Sequence, residues 1–242
     1  MSLPATATQK HRLVGVYIHL PYCDVKCAYC DFFSIALRHV DDDFWTRYLD
    51  RLHEDLAAQA SLLHSDTAKP VFFGGGTPSK APARVITGVI EAIRRAFGAA
   101  LPQIELTAEA NPESLTPELL CAWRDAGLNR VSVGMQSLDA ATLRYLGRLY
   151  RPQAYARVLA DIRSAGFSNY SADFITGVPG QSTASTLRDL EFAVGEGVTH
   201  LSLYQLTIEP GTLLRQRILR GDRPPISDEQ QARQMSAACE YL

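Results

Sequence analysis

The stretch Ile104-Glu105-Leu106-Thr107-Ala108-Glu109-Ala110-Asn111 changes polarity at every residue. Successive side chains of an extended strand point to opposite faces, so Ile104, Leu106, Ala108 and Ala110 share one side and the four polar residues share the other. Val131, Val133 and Met135 alternate in the same way with Ser132, Gly134 and Gln136, and Val14, Val16, Ile18 and Leu20 alternate with Gly15, Tyr17 and His19. Further strand-like segments stand near 70–74, 170–176 and 200–207. Helical patterns fall near 42–63, 82–97, 116–126, 153–165, 183–195 and 227–242. Strands separated by helices predict an α/β fold with a parallel sheet and crossover helices, either doubly wound or curled into a barrel. A doubly wound sheet is covered on both faces and would carry continuous apolar strands. An apolar outside and a polar inside suit a barrel with its helices outside. A closed eight-stranded barrel packs its interior with apolar side chains. The expectation is therefore a partial, open TIM-type barrel of about six parallel β/α units around a bound molecule, its active site at the C-terminal ends of the strands.

The 242 residues suffice for six such units, and a chain of this length buries roughly 70 to 75% of its unfolded surface. With 46% hydrophobic and 21% charged residues, the composition is that of a globular protein rather than a disordered one. Twenty-four basic against 26 acidic side chains leave a net charge of −2, which gives no electrostatic case for nucleic acid or an anionic membrane surface. No apolar run approaches the roughly 20 residues of a membrane span. The N-terminal MSLPATATQKHR has no apolar core of a secretory signal, so a cytoplasmic location is expected. No linker divides the chain, although Arg220 to Pro225 reads as a loop. The expected organisation is a tail over 1–13, the barrel over 14–226, and a region beginning at 227–242 that stops short. In that last segment Ala232, Met235, Cys239 and Leu242 fall at helical spacing, with no C-terminal cap after them.

Five cysteines in such a chain point to metal chemistry, redox chemistry or buried thiols before disulfides. Cys121 and Cys239 stand alone among helix formers and read as small buried residues. Cys23, Cys27 and Cys30 fall within eight residues as C-x3-C-x2-C on the loop leaving the first strand. Three thiolates there can grip one metal centre. A structural zinc needs a fourth ligand, for which His19 is the nearest candidate. A 4Fe-4S cluster held by three cysteines instead leaves one iron open to a substrate or cofactor. Three metal-free buried thiols fit poorly beside Asp24, Lys26 and Asp31.

C-x3-C-x2-C after a strand, followed by Gly74-Gly75-Gly76-Thr77-Pro78, resembles the radical S-adenosylmethionine (SAM) superfamily. The blocks Tyr17-Ile-His-Leu-Pro21, Phe72 to Ser79, Glu109-Ala-Asn-Pro112, Ser132 to Ser137, Leu146-Gly-Arg148, Asp173 to Gln181 and Leu206 to Thr212 are similar to the oxygen-independent coproporphyrinogen III oxidase family. The resemblance implies Cys23, Cys27 and Cys30 as ligands of a 4Fe-4S cluster, with Tyr17, Gly75 and Glu109 touching the cluster-bound SAM and Tyr29 near its adenine. It implies a second SAM at Tyr29, Gly76, Thr77, Gln136, Arg148, Asp173 and Thr207. The glycine run would let backbone approach a ligand that a Cβ would exclude. Arg148 and Asp173 suit a zwitterionic amino acid, or a salt bridge supporting the barrel. Glu109 suits an ammonium, or a generic buried ion pair. Thr207 is the weakest assignment, because alternation from Leu201 and Leu203 would turn it outward.

Family oxidases carry a further cysteine two positions after the last ligand, where this chain has Phe32. C-x3-C-x2-C-x-F resembles instead the heme-chaperone branch, called HemW-like. That branch implies a radical SAM protein of heme metabolism that binds heme and delivers it to respiratory acceptors at the membrane, with flavodoxin or ferredoxin as reductant. The alternative is coproporphyrinogen III oxidation to protoporphyrinogen IX through a 5′-deoxyadenosyl radical. His19 reads as support for the cluster loop more readily than as a heme ligand, and no heme site is evident in the sequence.

Overall fold

A computed structural model describes residues 13–37, 40–63, 67–97, 104–148 and 151–242. Most of the N-terminal tail, with His11, His39 and His64, lies outside the described residues. Six strands form one parallel sheet: β1 (Leu13–Leu20), β4 (Thr67–Gly75), β5 (Leu106–Ala110), β6 (Arg130–Gln136), β7 (Tyr170–Thr176) and β8 (His200–Gln205). A two-residue parallel pair, β2 (Tyr22–Cys23) and β3 (Ile35–Ala36), flanks the cysteine loop. The sheet order β1-β4-β5-β6-β7-β8 follows the chain without reversal. A doubly wound sheet reverses its order at a switch point. Strands added always on the same side, as here, instead curl the sheet, and β1 and β8 are left as its two edges. The architecture is a partial TIM-type barrel.

The period-2 pattern is borne out in burial. Val131, Val133 and Met135 on β6, and Leu106 and Ala108 on β5, are fully buried against the outer helices. The inner faces carry Thr107, Ser132, Ser171 and Asp173. They are polar yet mostly buried, and they bond to one another, Ser171 Oγ donating to Ser132 Oγ at 2.7 Å and Ser132 Oγ to Asp173 Oδ2 at 2.9 Å. Burying hydroxyls is tolerable where each finds a partner.

The helices α1 (Asp42–Leu63), α2 (Ala83–Phe97), α3 (Pro117–Asp125), α5 (Tyr155–Ser164) and α6 (Thr183–Gly195) follow the expected windows. In α2, Val85, Ile86, Val89, Ile90 and Ile93 form a buried stripe at i, i+3 and i+4 spacing, each side chain contributing about 1.5–3 kcal/mol over exposure. Thr116 and Ser182 cap α3 and α6 through their hydroxyls. Two helices absent from the sequence-based expectation appear, α4 (Ala140–Leu146) and α7 (Leu213–Leu219), each seven residues long. A window of 11 to 18 residues averages such short segments away. Asp139 and Thr212 nevertheless cap them.

The last helix, α8 (Asp228–Tyr241), packs on α6 and β7. Its buried side chains are Gln234 and Ala238, not the stripe of Ala232, Met235, Cys239 and Leu242. The two lone cysteines also depart from expectation, since both Cys121 and Cys239 are exposed. On α3 the buried positions are Leu120 and Trp123, which turns Cys121 to solvent.

Asp189 on α6 is 2% exposed and accepts from Ser137 Oγ and from the Leu138 N–H, both at 2.8 Å, tying the exit of β6 to the outer layer. Burial pushes its carboxyl up to about 6, against the lowering effect of those two donors. Because the folded-state value is raised, its stabilising contribution is full below the unfolded value of 3.8 and fades as pH rises through about 6. Asp189→Ala should cost about 1–3 kcal/mol by stranding both donors, with a larger loss at pH 5 than at pH 8. Urea midpoints of parent and variant at the two pH values measure this, and equal midpoints would show that the β6 exit is held by other contacts.

Candidate functional site

The cysteine loop is placed by backbone hydrogen bonds before any cysteine side chain acts. The Gly76 N–H donates to Leu20 O at 2.7 Å and the Thr77 N–H to Tyr22 O at 2.8 Å, so the turn leaving β4 grips the chain leaving β1. On the far side the Ile35 N–H donates to Pro21 O at 2.6 Å and the Leu37 N–H to Cys23 O at 2.9 Å, which closes the loop at its base. Tyr22 is wedged edge-on among Phe44, Trp45 and Tyr48 of α1, with ring centroids 4.9 to 5.7 Å away. At the tip, Ala28 is buried with Tyr145, Leu146, Ile175, Val178, Leu206 and Leu214 in a second apolar cluster. The Leu214 N–H donates to Ala28 O at 2.7 Å. One small residue therefore anchors the segment that carries Cys27 and Cys30.

These restraints bring the three thiols to one cavity of about 330 Å³ at the C-terminal ends of the strands. Tyr29, Gly75, Gly76, Thr77, Glu109, Gln136, Arg148, Asp173 and Thr207 also line it. Of the residues singled out from the sequence, Tyr17 does not. It lies beside the cavity, stacked on Phe72 with centroids 6.2 Å apart, its hydroxyl 3.1 Å from His19 Nδ1. The His19 Nε2 is 2.8 Å from Phe33 O. The imidazole is thus committed to supporting the loop. Among the described residues no three His, Cys, Asp or Glu side chains converge on one point, and both ring nitrogens of His19, the fourth ligand that a Cys3His zinc site would need, already face protein partners. Thiols that share a cavity without meeting at one point suit a polynuclear iron-sulfur cluster, whose cysteines bind separate irons.

The glycine run serves the fold more directly than expected. A Cβ on Gly76 would stand 2.7 Å from the Tyr22 backbone, one on Gly75 2.7 Å from the His19 ring, and one on Gly74 3.1 Å from Glu109 Oε2. Protein fills those positions, and Gly75 adopts a φ of +111°. Thr207 also departs from the alternation argument. Strand β8 ends at Gln205, and beyond it the chain turns so that Thr207 lines the cavity.

Buried charge is concentrated on one wall. Burial lifts the Glu109 carboxyl to about 7; the Gly75 N–H, donating at 3.3 Å, lowers it and the Asp173 carboxylate raises it. Burial also raises Asp173, whose Oδ1 is buried without a protein partner. Arg148 does not bridge to Asp173. Its Nη2 donates to Asn111 Oδ1 at 2.9 Å and to Gly134 O at 3.1 Å, and its Nη1 is 3.9 Å from Glu113 Oε1. Burial pushes the Cys27 thiol up, while the nearby Arg148 charge favours its thiolate.

Sequence reasoning left out Asn111, Ser132, Gly134, Ile175 and Tyr204, all on the cavity wall. Asn111 joins Arg148 to Thr77, donating from Nδ2 to Thr77 Oγ1 at 3.2 Å. Its place on the polar side of the 104–111 alternation was the available signal. The conformation of Gln136 had none. At φ 66° it is left-handed, beside a register slip between β6 and β7, and its amide folds back to within 2.7 Å of where a Gly134 Cβ would stand. A non-glycine residue held there costs about 1–3 kcal/mol and tends to mark a functional wall.

An open α/β barrel whose strand ends meet a three-thiol loop and a glycine turn defines a class of cofactor-binding protein. The model of the radical SAM superfamily matches residues 17–193, and the chain belongs to that superfamily. Membership implies a 4Fe-4S cluster and SAM, and the thiols and the carboxylate-lined cavity fit both. The chain is 35% identical over 229 residues to the heme chaperone HemW of Mycobacterium tuberculosis, covering 95% of this chain and 58% of the relative. It is 36% identical over 220 residues to heme chaperone HemW of Escherichia coli, covering 90% and 56%. In fold it is similar to the coproporphyrinogen III oxidase HemN of Escherichia coli, with a TM-score of 0.84 and 24% identity over 98% of this chain and 54% of that one. The chain spans about half the length of the curated relatives it matches.

Glu109 offers a direct check on the wall. Its isotope-edited carboxyl infrared band should titrate near pH 7, far above the ordinary 4.5, and Asp173→Asn should move that titration down by removing a like charge. An ordinary titration near 4.5 would mean that water reaches Glu109 freely.

Proposed function

We propose that this barrel is the cluster- and SAM-binding part of a heme chaperone. Cys23, Cys27 and Cys30 would hold a 4Fe-4S cluster, with one iron left for the amino and carboxylate groups of SAM. Bound there, the cluster supplies one-electron chemistry toward the sulfonium. The chain's own residues orient and enclose the cofactor. Glu109, beside Gly75, receives the ammonium; Tyr29 lies against the adenine; Tyr17 braces the wall from outside it through Phe72 and His19. A second SAM would be held by Tyr29, Gly76, Thr77, Gln136, Arg148, Asp173 and Thr207, with the unpartnered Asp173 Oδ1 free to accept from an ammonium.

The observation that carries the choice of branch is Phe32. It occupies the position where family oxidases have a further thiol, and it is exposed on the cavity rim. The named heme chaperones at 35 and 36% identity support the same choice. Heme would be the cargo, respiratory proteins at the membrane its acceptors, and flavodoxin or ferredoxin the reductant. No helix among the described residues is long and apolar enough to cross a membrane. The location proposed from the polar N-terminal stretch 1–12 is the cytoplasm.

Anaerobic reconstitution provides the test. Iron and sulfide should load to one 4Fe-4S cluster in the parent, and Cys27→Ala should lose it. The parent should then bind hemin and pass it to an apo-acceptor, without converting coproporphyrinogen III in the presence of SAM and reductant. Protoporphyrinogen IX formation would assign the oxidase reaction instead, and full iron loading of Cys27→Ala would remove the ligand assignment.

A further inference from the structure

Helix α8 is held to the barrel mainly by amides. Its one fully buried apolar side chain is Ala238, whereas Gln230, Gln231 and Gln234 reach backbone groups at the exits of β7 and β8. Gln234, 1% exposed, accepts from Thr176 Oγ1 and from the Gly177 N–H, both at 2.7 Å, and donates to Gln181 O at 2.6 Å. Gln230 donates to Val178 O at 3.1 Å and to Gln181 O at 2.8 Å. Gln231 donates to Leu206 O at 2.6 Å, and its side chain lies where a Gly177 Cβ would stand. Strand ends leave carbonyls and N–H groups that must be paired if buried. Here another helix pairs them.

The segments so gripped form one side of the cavity. Ile175, Leu206 and Thr207 line it, while α8 itself contributes no lining residue. We infer that Gln231 and Gln234 are positioning residues, which set the β7 and β8 exits so that Ile175, Leu206 and Thr207 meet a ligand in the cavity, and which couple occupancy of the cavity to the docking of α8. The coupling is reciprocal: a ligand that fixes Leu206 and Thr207 tightens α8, and loosening α8 weakens the ligand. Glutamine suits this role. Apolar side chains at 231 and 234 would pack there but leave Leu206 O and the Gly177 N–H without these partners, and Gln181 O with Gln230 alone.

The ligand side of this inference rests on the SAM site proposed above, and the experiment separates the two. Three cluster-reconstituted proteins are compared: the parent, Gln231→Met, which keeps the length of the side chain without its donor, and Arg233→Gln. Arg233 is exposed on α8 and paired with Glu229, so its replacement perturbs the helix without touching either exit. In ligand-free protein, Gln231→Met should speed amide hydrogen exchange over 175–181 and 206–209, while Arg233→Gln leaves those segments at the parent rate. Addition of SAM should slow exchange along 228–241 in the parent. Gln231→Met should bind SAM about fivefold or more weakly by equilibrium dialysis, at unchanged iron content. Parent-like exchange at both exits in Gln231→Met, or parent-like SAM affinity with α8 indifferent to SAM, would overturn the inference. Parent protein that binds no SAM counts against the cofactor site, and the exit exchange still decides the positioning role.

Discussion

Two backbone hydrogen bonds, from the Gly76 N–H to Leu20 O and from the Thr77 N–H to Tyr22 O, join the turn leaving β4 to the chain leaving β1. Much of the site depends on that junction. It is possible only because residue 76 has no side chain, since a Cβ would run into the Tyr22 backbone. It directs Cys23 toward Thr77, whose hydroxyl lies 3.4 Å from the sulfur, and it starts the loop on the path that brings Ala28 into the second apolar cluster. The Cys23, Cys27 and Cys30 thiols then face one cavity without depending on contacts to one another.

The interior wall is polar yet largely buried, and that combination shapes its chemistry. Carboxylates at Glu109 and Asp173 lose solvation, and the Asp173 charge further raises the cost of ionising Glu109. The serine pair behind Asp173 satisfies one of its oxygens and leaves the other unpartnered among the protein groups. Arg148, held to Asn111 and Gly134, keeps its charge nearby without neutralising either acid. An ammonium placed against these two acids would favour their ionised forms.

Most of this fold was legible because its repeating unit is long and regular. Strict alternation in 104–111 and 131–136 identified both the strands and the polarity of each face, and that polarity led to a barrel rather than a doubly wound sheet. The chain-ordered sheet agrees. What escaped was short or non-periodic: the two seven-residue helices, the left-handed Gln136, and the turn after Gln205 that brings Thr207 inward. Helix α8 misled for a different reason. Its helical spacing at 232, 235, 239 and 242 suggests an apolar stripe, but the helix docks through glutamines, because what it covers is strand-end backbone rather than apolar side chains. In the site, the cysteines and glycines were legible as motifs. Asn111 and Ser132 were legible only as members of a polar face, because alternation gives a residue's side but not its partners.

The sheet stops at β1 and β8 instead of closing on itself. A closed barrel admits ligands only past the ring of loops at one end, so the width of that ring limits what can enter. Here the cavity is bounded on one side by the cysteine loop, with Phe32 on its rim, and on the other by Tyr204 and the chain after β8. Both rings are more than half exposed. On its open side the cavity is therefore bordered by two exposed aromatic side chains rather than by a further strand. Exposed side chains change rotamer on the picosecond to nanosecond scale, so this border can be reshaped while every strand pairing in the sheet stays in place.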